Sequence, residues 1–314
     1  MKLAVAVAKN AIPYLARHGA EPWLRRCALL DPCWGGIGFS VTIADAMCLN
    51  GNVANALDLL ERNTLLLLSR LRPSARKGAA ATLAPAERIP EAQKRECFLE
   101  AINAFERNGI RSFLAFGVLL GYVREGGFLA HDRDLDLGIM TGDATSPQVR
   151  EALERADFAI TDFRGPEWPC RVKAVHANGV LLDVVFFHPQ DGHLLTYMYC
   201  HGHLIIRRRA VFELERASFL DKSVWIPAKP ERFLEENYGD WRHKSEYHNC
   251  LLTSRLTDFS LPIIRYCAAR AFYRCLTLRD YAQAKGCLNV VLSHYPDDRF
   301  WSSIPELFER TLKR

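Results

Sequence analysis

Apolar and polar positions follow two different periods along the chain, and the period changes near residue 110. Before it, small and apolar residues recur at helical spacing through IADAMCLNGNVANALDLLERN, where a Gly51-Asn52 break predicts a helical hairpin. A further helix is indicated from Pro90, with Asn108-Gly109 as its C-terminal stop. Between them, residues 73–90 are rich in proline, basic and small residues, which predicts a linker.

Short strands are predicted to dominate the middle of the chain. Strand character begins in IRSFLAFGVLL and returns in LDLGIM, FAITDF, CRVKAVHA and VLLDVVFF, with a helix expected in SPQVREALERA. HLLTYMYC and HLIIRRR are expected to form a hairpin closed at His201-Gly202. This order of elements predicts a mixed β-sheet with flanking helices, in a domain of the α/β or α+β class.

From Pro262 onward the pattern is helical again. The spacing in RDYAQAKGCLNVVLSHYPDD is similar to the second helix of a tetratricopeptide unit, and the residues around Gly51 show a weaker match. One match at each end does not make a solenoid, so two ordinary helical hairpins packing on the core domain are the preferred interpretation. The predicted organisation is a helical region 1–72, a linker 73–90, a mixed α/β domain 91–260 and a helical region 261–314.

Composition and charge limit the classes of protein that the chain can represent. Its 314 residues are 49% hydrophobic and 25% charged, which is typical of globular proteins. The net charge of +5 suits phosphorylated substrates or an anionic membrane surface but is too small and scattered to favour nucleic acid. No apolar run reaches the roughly 20 residues of a spanning helix. We therefore expect a cytoplasmic protein, with membrane or protein contacts limited to peripheral ones through the helical ends.

The cysteines give no clear metal or disulfide signal. There are ten, dispersed and without a CxxC pair. The run Cys200-His201-Gly202-His203 comes closest to a metal cluster, but it lacks a second half. We prefer to interpret the residues of this run as strand residues with ordinary packing. The start MKLAVAVAKN is broken by Lys9 and Asn10, so it indicates an amphipathic helix rather than a signal peptide.

Three acids on two predicted strands are the strongest candidates for chemistry. Asp134 and Asp136 are two residues apart, so they project from the same face of one strand, where they repel each other. Asp183 lies within an otherwise apolar strand and is costly to bury without a partner. A divalent cation held by all three would remove both penalties. The alternative is that Asp134 and Asp136 form a solvated edge and that Asp183 ends a half-exposed strand.

The segment before the acids favours the metal hypothesis. Gly117 and Gly121 flank a predicted apolar turn, and glycines there let backbone amides approach an anion. The guanidinium of Arg124 can bind a phosphate through two hydrogen bonds. Together with the acids, these residues describe a site for phosphate and metal.

The same motifs resemble those of a known family. FGVLLGYVREGGFLAHDRDLDLGI is similar to the signature of the LicD/fukutin family within the nucleotidyltransferase superfamily, LLDVVFF to its third-acid strand, and VWIPAKPERFLEENYGDWR to its closing motif. The resemblance covers about residues 93–245. Residues that carry the match in the first motif are Gly117, Leu119, Leu120, Gly121, Arg124, Gly127, Asp132, Asp134 and Asp136.

The resemblance implies a nucleotidyltransferase fold and a specific reaction. The family transfers a phospho-alcohol, such as phosphocholine or ribitol phosphate, from a CDP-activated donor to a hydroxyl of a glycan or glycolipid and releases CMP. It implies that Asp134 and Asp136 hold Mg²⁺ or Mn²⁺, and that Asp183 completes the ligand set or takes the acceptor proton. Asp132 is either a ligand to a second metal or a turn residue. Gly117, Gly121 and Arg124 are expected to bind the donor.

Other polar residues are weaker candidates, and two other functions stay open. Lys173 and His176 are proposed to contact phosphate or acceptor, against the alternative of a solvated strand face. Tyr238 and Trp241 are interpreted as a packed helix C-cap, and Arg207-Arg208-Arg209 as a solvated face rather than a phosphate site. A nucleotidyltransferase that attaches NMP from an NTP, or an inert scaffold of the same fold, are the competing hypotheses.

Overall fold

The computed structural model describes residues 39–71, 89–163, 170–245 and 247–313. Within these ranges the chain forms nine helices and nine strands, and the strands form a mixed open sheet. The α/β prediction is thereby confirmed. None of the helices in the described ranges is long and apolar enough to cross a membrane. The predictions for residues 1–38 and for most of the 73–90 linker lie outside the described residues.

The helices group into those of the two chain ends and those that flank the sheet. The helices are α1 Phe39–Leu49, α2 Val53–Arg70, α3 Glu91–Arg107, α4 Phe116–Glu125, α5 Ser146–Glu154, α6 Pro230–Tyr238, α7 Pro262–Thr277, α8 Tyr281–His294 and α9 Arg299–Lys313. The strands are β1 Ser112–Leu114, β2 Asp134–Met140, β3 Phe158–Phe163, β4 Arg171–His176, β5 Leu181–Gln190, β6 His193–Cys200, β7 His203–Ala210, β8 Leu214–Phe219 and β9 Lys222–Pro227.

The sheet has the order β3-β4-β5-β2-β1-β9-β8, and the β6–β7 hairpin branches from β5. The pairs β2–β5 and β1–β9 are parallel, whereas the others are antiparallel. Strand β5 takes part in three ladders, with β2, β4 and β6. Its residues 181–187 pair with β2, and its last three residues, His188–Gln190, pair with β6. The predicted hairpin with His201-Gly202 at its turn is confirmed.

Alternation along β2 separates an apolar face of the sheet from an acidic one. Leu135, Leu137 and Ile139 are at most 1% exposed and belong to the main core, while Asp134 and Asp136 point the other way. Buried residues of α3 and α5 join the same core cluster. The apolar period of two thus fixes which face of β2 is left for the carboxylates.

The stretch after β1 differs from its prediction. Strand character was expected to continue through FGVLL, with an apolar turn between the two glycines, but only Ser112–Leu114 is a strand and α4 follows it directly. Residues 117–121 are all buried, so their apolar run shows no amphipathic period. A short run that is buried on all sides has the same apolar sequence pattern in a helix and in a strand. The sequence therefore could not distinguish the two. The β8–β9 hairpin was not predicted as strands.

The helical ends form one unit rather than two separate hairpins on the core domain. Helices α1 and α2 share a second hydrophobic cluster with α7, α8 and α9, including the buried side chains of Leu60, Phe272 and Trp301. The β6–β7 hairpin also contributes to this cluster, through Ile205. We call these five helices the helical bundle. The bundle therefore meets the sheet at the hairpin.

Candidate active site

The three predicted acids lie together on the acidic face of the sheet. Strands β2 and β5 are parallel and in register, so Asp136 is paired with Asp183, and Asp134 precedes it by two positions on the same face. On the other side of β5, Lys173 of β4 is paired with Asp183. The strand register thus brings residues from distant parts of the sequence to one place.

The N-terminus of α4 closes one side of this group. The backbone amide of Gly117 donates a hydrogen bond to Oδ2 of Asp136 at 3.0 Å. A Cβ on Gly117 would lie 3.0 Å from that oxygen and would overlap the carboxylate of Asp132. Phe116, just before it, has a φ of 42°, a left-handed conformation that is strained for an aromatic residue. Asp132 therefore belongs to the acid group, together with the backbone of α4.

The acids have abnormal electrostatics. Burial and the neighbouring Asp134 raise the pKa of Asp132 to about 7. Burial, followed by the charges of Asp134 and Asp183, raises the pKa of Asp136 well above its ordinary value. The pKa of Asp183 is also raised by burial, although Arg171 and Lys173 oppose the shift. The group thus carries more negative charge than its protein surroundings compensate.

Two cations of β4 face Asp183. Nη1 of Arg171 and Nζ of Lys173 each lie 3.3 Å from Oδ2 of Asp183. Both side chains are about a third exposed, so they reach from the acid towards solvent. Lys173 was predicted as a site residue, whereas Arg171 was missed. The signal for Arg171 was available, because residues 171 and 173 of a strand share a face.

A buried lysine was also missed. Lys94 of α3 is 2% exposed, and its Nζ donates to the carbonyl oxygen of Leu129 at 2.7 Å. It interacts electrostatically with Asp132 and Asp134, while burial lowers its pKa. Lys94 occupies the same helical stripe as the buried Cys97, so a lysine on the apolar face of the α3 pattern was the signal.

The donor set fits a hard divalent cation. Carboxylate oxygens are the ligands of Mg²⁺ and Mn²⁺, and Oδ1 of Asp183 has no hydrogen-bond partner among the described residues. Within the same residues, no three of the acids bring oxygens within 4.8 Å of one another. Mg²⁺ is usually held by one or two carboxylates together with substrate phosphates, and this arrangement suits such a shared site.

Comparison with known proteins identifies the domain that carries this site. The family model described as LicD/FKTN/FKRP, nucleotidyltransferase domain, matches residues 109–229, which run from just before β1 to just after β9. This segment belongs to the LicD/fukutin family. The mouse protein named ribitol-5-phosphate transferase FKTN is 28% identical over 134 residues, which are 42% of this chain and 29% of that protein. The chain therefore spans less than a third of the length of this relative.

Three residues predicted for the site, His176, Gly121 and Arg124, do not contact the acid group in the described structure. His176 is on the apolar face of the sheet, where its Nε2 is 2.6 Å from Oε2 of Glu100 on α3. Residues 173 and 176 of one strand point to opposite faces. The prediction that His176 belongs to the site together with Lys173 was therefore wrong. Gly121 has no room for a Cβ because the backbone of residues 127–129 packs against it. Its role in the described structure is close packing.

Arg124 points to the end of α6. Its Nη1 donates to the carbonyl oxygen of Trp241 at 3.4 Å, and its Nη2 pairs with the carboxylate of Glu125 at 3.0 Å. Gly239, with a φ of 64°, caps α6, and Trp241 is buried, as a packed C-cap requires. The structure thus places Arg124 with the C-cap rather than with the acids.

The expectation of a solvated arginine face is wrong for two of the three arginines. Arg207 and Arg209 are buried, and Arg208 is exposed. Arg209 lies over the ring of Phe233 at 4.3 Å and donates to the side chain of Asn237 at 3.2 Å. Alternation on β7 explains the difference, because residues 207 and 209 share the inward face.

Proposed function

We propose that the chain transfers a phospho-alcohol group from a CDP-activated donor to a hydroxyl of a glycan or glycolipid and releases CMP. The pairing of Asp136 with Asp183 beside Asp134, on a segment of the LicD/fukutin family, is the observation that carries the proposal. The name of the mouse relative, a ribitol-5-phosphate transferase, supports the same class of reaction.

Each residue of the acidic face has a role in this proposal. Asp134 and Asp136 would hold Mg²⁺ or Mn²⁺, which supplies positive charge for the diphosphate when bound. Asp183 either completes this ligand set or takes the proton of the acceptor. The amide of Gly117 holds the carboxylate of Asp136 in place. Lys94 offsets part of the charge of Asp132 and Asp134.

In this proposal, Arg171 and Lys173, the cations next to the acid group, bind the donor. Arg171 and Lys173 are about a third exposed next to Asp183, so their side chains can turn from that acid to an incoming phosphate. Such an exchange leaves the Asp183 carboxylate available for its own role at the acceptor.

Asp183 is suited to take the proton of the acceptor hydroxyl. Its pKa is raised by burial, which makes it a stronger base than an exposed aspartate. As the hydroxyl oxygen bonds to the donor phosphorus, its proton passes to the Asp183 carboxylate, and the bond from phosphorus to CMP breaks. The products are CMP and the phosphorylated glycan.

Turnover of CDP-ribitol and CDP-choline tests the proposal. Purified protein is incubated with each donor and a panel of glycan acceptors, with Mg²⁺ or with EDTA, and CMP is quantified. We expect metal-dependent CMP release together with a phosphorylated acceptor. Pyrophosphate with a nucleotidylated acceptor, formed from an NTP, would instead establish a nucleotidyltransferase. No turnover of any CDP-alcohol by protein with bound metal would support an inert scaffold.

A further inference from the structure

A cluster of metal-ligand side chains lies where the β6–β7 hairpin meets the helical bundle. Sγ of Cys200, at the end of β6, is 3.2 Å from Sγ of Cys267 on α7. With the ring of His201 they offer three ligand atoms that all lie within 4.8 Å of one another. The Cys200-His201 run lacked a second half in the sequence, and α7 supplies it from 67 residues further along the chain.

We propose that Cys200, His201 and Cys267 bind a zinc ion that joins the hairpin of the LicD segment to the helical bundle. Two thiolates and an imidazole are the ligand types that zinc prefers, whereas the carboxylates of the acidic face suit Mg²⁺. The two sites differ in ligand chemistry and in position, so this proposal is independent of the proposed function.

The surroundings of His201 resemble those of a metal-bound histidine. Nδ1 of His201 is 3.1 Å from Oδ1 of Asp45 on α1. A carboxylate that accepts the Nδ1 proton fixes the ring and its tautomer, and it leaves the lone pair on Nε2 for the metal. Asp45 is itself held by Arg270, at 2.7 and 3.0 Å. The orienting carboxylate is therefore rigidly placed.

Charge balance also favours a site with thiolates. The guanidinium of Arg270 interacts electrostatically with both Cys200 and Cys267. A zinc ion bound by thiolates carries less positive charge than the bare ion, and a nearby guanidinium compensates the sulfur atoms that ionise on binding. Cys267 is buried and Cys200 is only partly exposed, so water provides little of that compensation.

The backbone conformation of the turn presents the histidine. His201 has a φ of 48° and Gly202 a φ of 84°, as a two-residue hairpin turn requires. Asparagine, aspartate or glycine is the usual residue at the first position. Histidine also adopts this conformation more readily than most residues, so the turn can present the ring beside the two thiols.

Cys48 is the candidate for a fourth ligand, although its thiol lies outside the group of three whose ligand atoms are within 4.8 Å of one another. Cys48 of α1 is 1% exposed, and its thiol interacts electrostatically with both Cys200 and Cys267. Structural zinc sites are tetrahedral, and a set of three cysteines and one histidine is among their common compositions. With Cys48 the site would connect α1, the hairpin and α7, three elements far apart in sequence.

Metal content of the full-length chain tests the proposal. The protein is purified under reducing conditions without chelator, and its zinc content is measured by inductively coupled plasma mass spectrometry. We expect about one zinc per chain in a fully loaded structural site. Cobalt added to metal-free protein should give a thiolate-to-cobalt charge-transfer band, which reports direct sulfur ligation without any mutation.

Substitution of the ligands assigns the site. Cys200→Ser and Cys267→Ser should each lower zinc affinity by more than about 100-fold, because loss of a mere outer partner of a ligand already costs about 10–100-fold. The matched control is Cys275→Ser, on the same helix as Cys267 but outside the cluster, and it should keep its zinc. Asp45→Asn should weaken zinc binding by about 10–100-fold.

Two results would overturn the proposal. One is wild-type protein that contains no zinc, takes up none on titration and shows no cobalt–thiolate band. The other is a disulfide between Cys200 and Cys267 in protein isolated without reductant and retained when zinc is supplied. Such a bond would form with release of two protons and transfer of two electrons to a thiol oxidant, and a mass loss of two hydrogens in the linked peptides would reveal it.

Discussion

Asp136 and Asp183 are paired in register on the parallel neighbours β2 and β5, and they point to the same face. Directly opposed side chains on adjacent strands have Cβ atoms about 4.5–5.5 Å apart, and like charges there are destabilising. The protein keeps both acids, buries one of them and adds Asp132 and Asp134 to the group. A bound cation would reduce the repulsion among these acids in their ionised form, and the predictions below follow from that effect.

Replacing Asp136 by asparagine is expected to lower CMP release by about 100–1,000-fold, the range for removal of one electrostatic group from an active site. Stability without metal should stay the same or rise, because the substitution removes a charge that Asp134, Asp183 and Asp132 repel. Initial rates and thermal unfolding in EDTA measure the two effects. Asp143→Asn is the matched control, since Asp143 pairs with Arg111 outside the acid group and its loss should leave the rate unchanged. Near-normal turnover by Asp136→Asn would remove β2 from the site.

Mg²⁺ or Mn²⁺ alone should stabilise the folded protein. A ligand at 100 times its dissociation constant adds about 2.7 kcal/mol to the free energy of unfolding. Denaturant melts with increasing metal should show this gain in the wild type, and should show little of it in Asp136→Asn. An equal gain in both proteins would mean that the metal binds elsewhere. Because no donor is present, this measurement tests the metal site separately from the reaction.

Stability in EDTA should fall as the pH rises from about 4 to about 7. The pKa of Asp132 is raised from its ordinary value of 3.8 to about 7 by burial and by Asp134, so the folded state holds a proton that the unfolded state has lost in this window. Where the folded state binds more protons, raising the pH lowers the free energy of unfolding. Chemical denaturation across this window measures the slope, and Asp132→Asn should flatten it. A slope unchanged in that variant would contradict the assignment.

Lys94→Met should destabilise the protein by about 1–3 kcal/mol, because it leaves the buried carbonyl oxygen of Leu129 without its donor. It also removes the buried cation that faces Asp132 and Asp134, so the rate of CMP release should fall as well. Arg95→Met serves as the control, since Arg95 is exposed and pairs with the exposed Asp221. If Lys94→Met and Arg95→Met had equal effects, Lys94 would have no special role.

Gly117→Ala should lower activity by about 10–100-fold, the penalty for a misplaced catalytic group. The added methyl would overlap the carboxylate of Asp132 and approach that of Asp136 to 3.0 Å, so both side chains must shift. Gly142→Ala is the control, because a Cβ there meets no atom within 4 Å. The comparison uses CMP release at equal amounts of folded protein, as judged by circular dichroism. Full activity of Gly117→Ala would show that the acids tolerate displacement.

The sequence predicted the parts of the site that depend on local pattern. Acids two apart on a strand, an acid within an apolar strand and a hairpin turn at His201-Gly202 follow from a period of two and from turn chemistry. The same rule excludes His176 from the face of Lys173 and includes Arg171, so those two errors were avoidable. The error at the start of α4 was unavoidable, because an apolar run that is buried on all sides shows no amphipathic period.

Contacts between distant segments were beyond the sequence. Lys94 reaches Asp132 only because α3 packs on the sheet beside the start of β2. Likewise, α2 packs with α7 and α9 in one cluster, although each end of the chain alone shows an ordinary helical pattern. Nor does any spacing rule connect Cys200 with Cys267, because their approach depends on how the hairpin docks on the bundle.

Strand β5 connects the acidic face of the sheet mechanically to the hairpin that meets the helical bundle. One unbroken strand carries Asp183 and, five residues later, the first rung of the ladder to β6. At a rise of about 3.3 Å per residue, these points are only about 17 Å apart along a stiff backbone. A partner that binds and displaces the helical bundle would therefore also displace the strand that positions Asp183. The helical ends are thus connected to the acid group through β5 and are not merely adjacent to it.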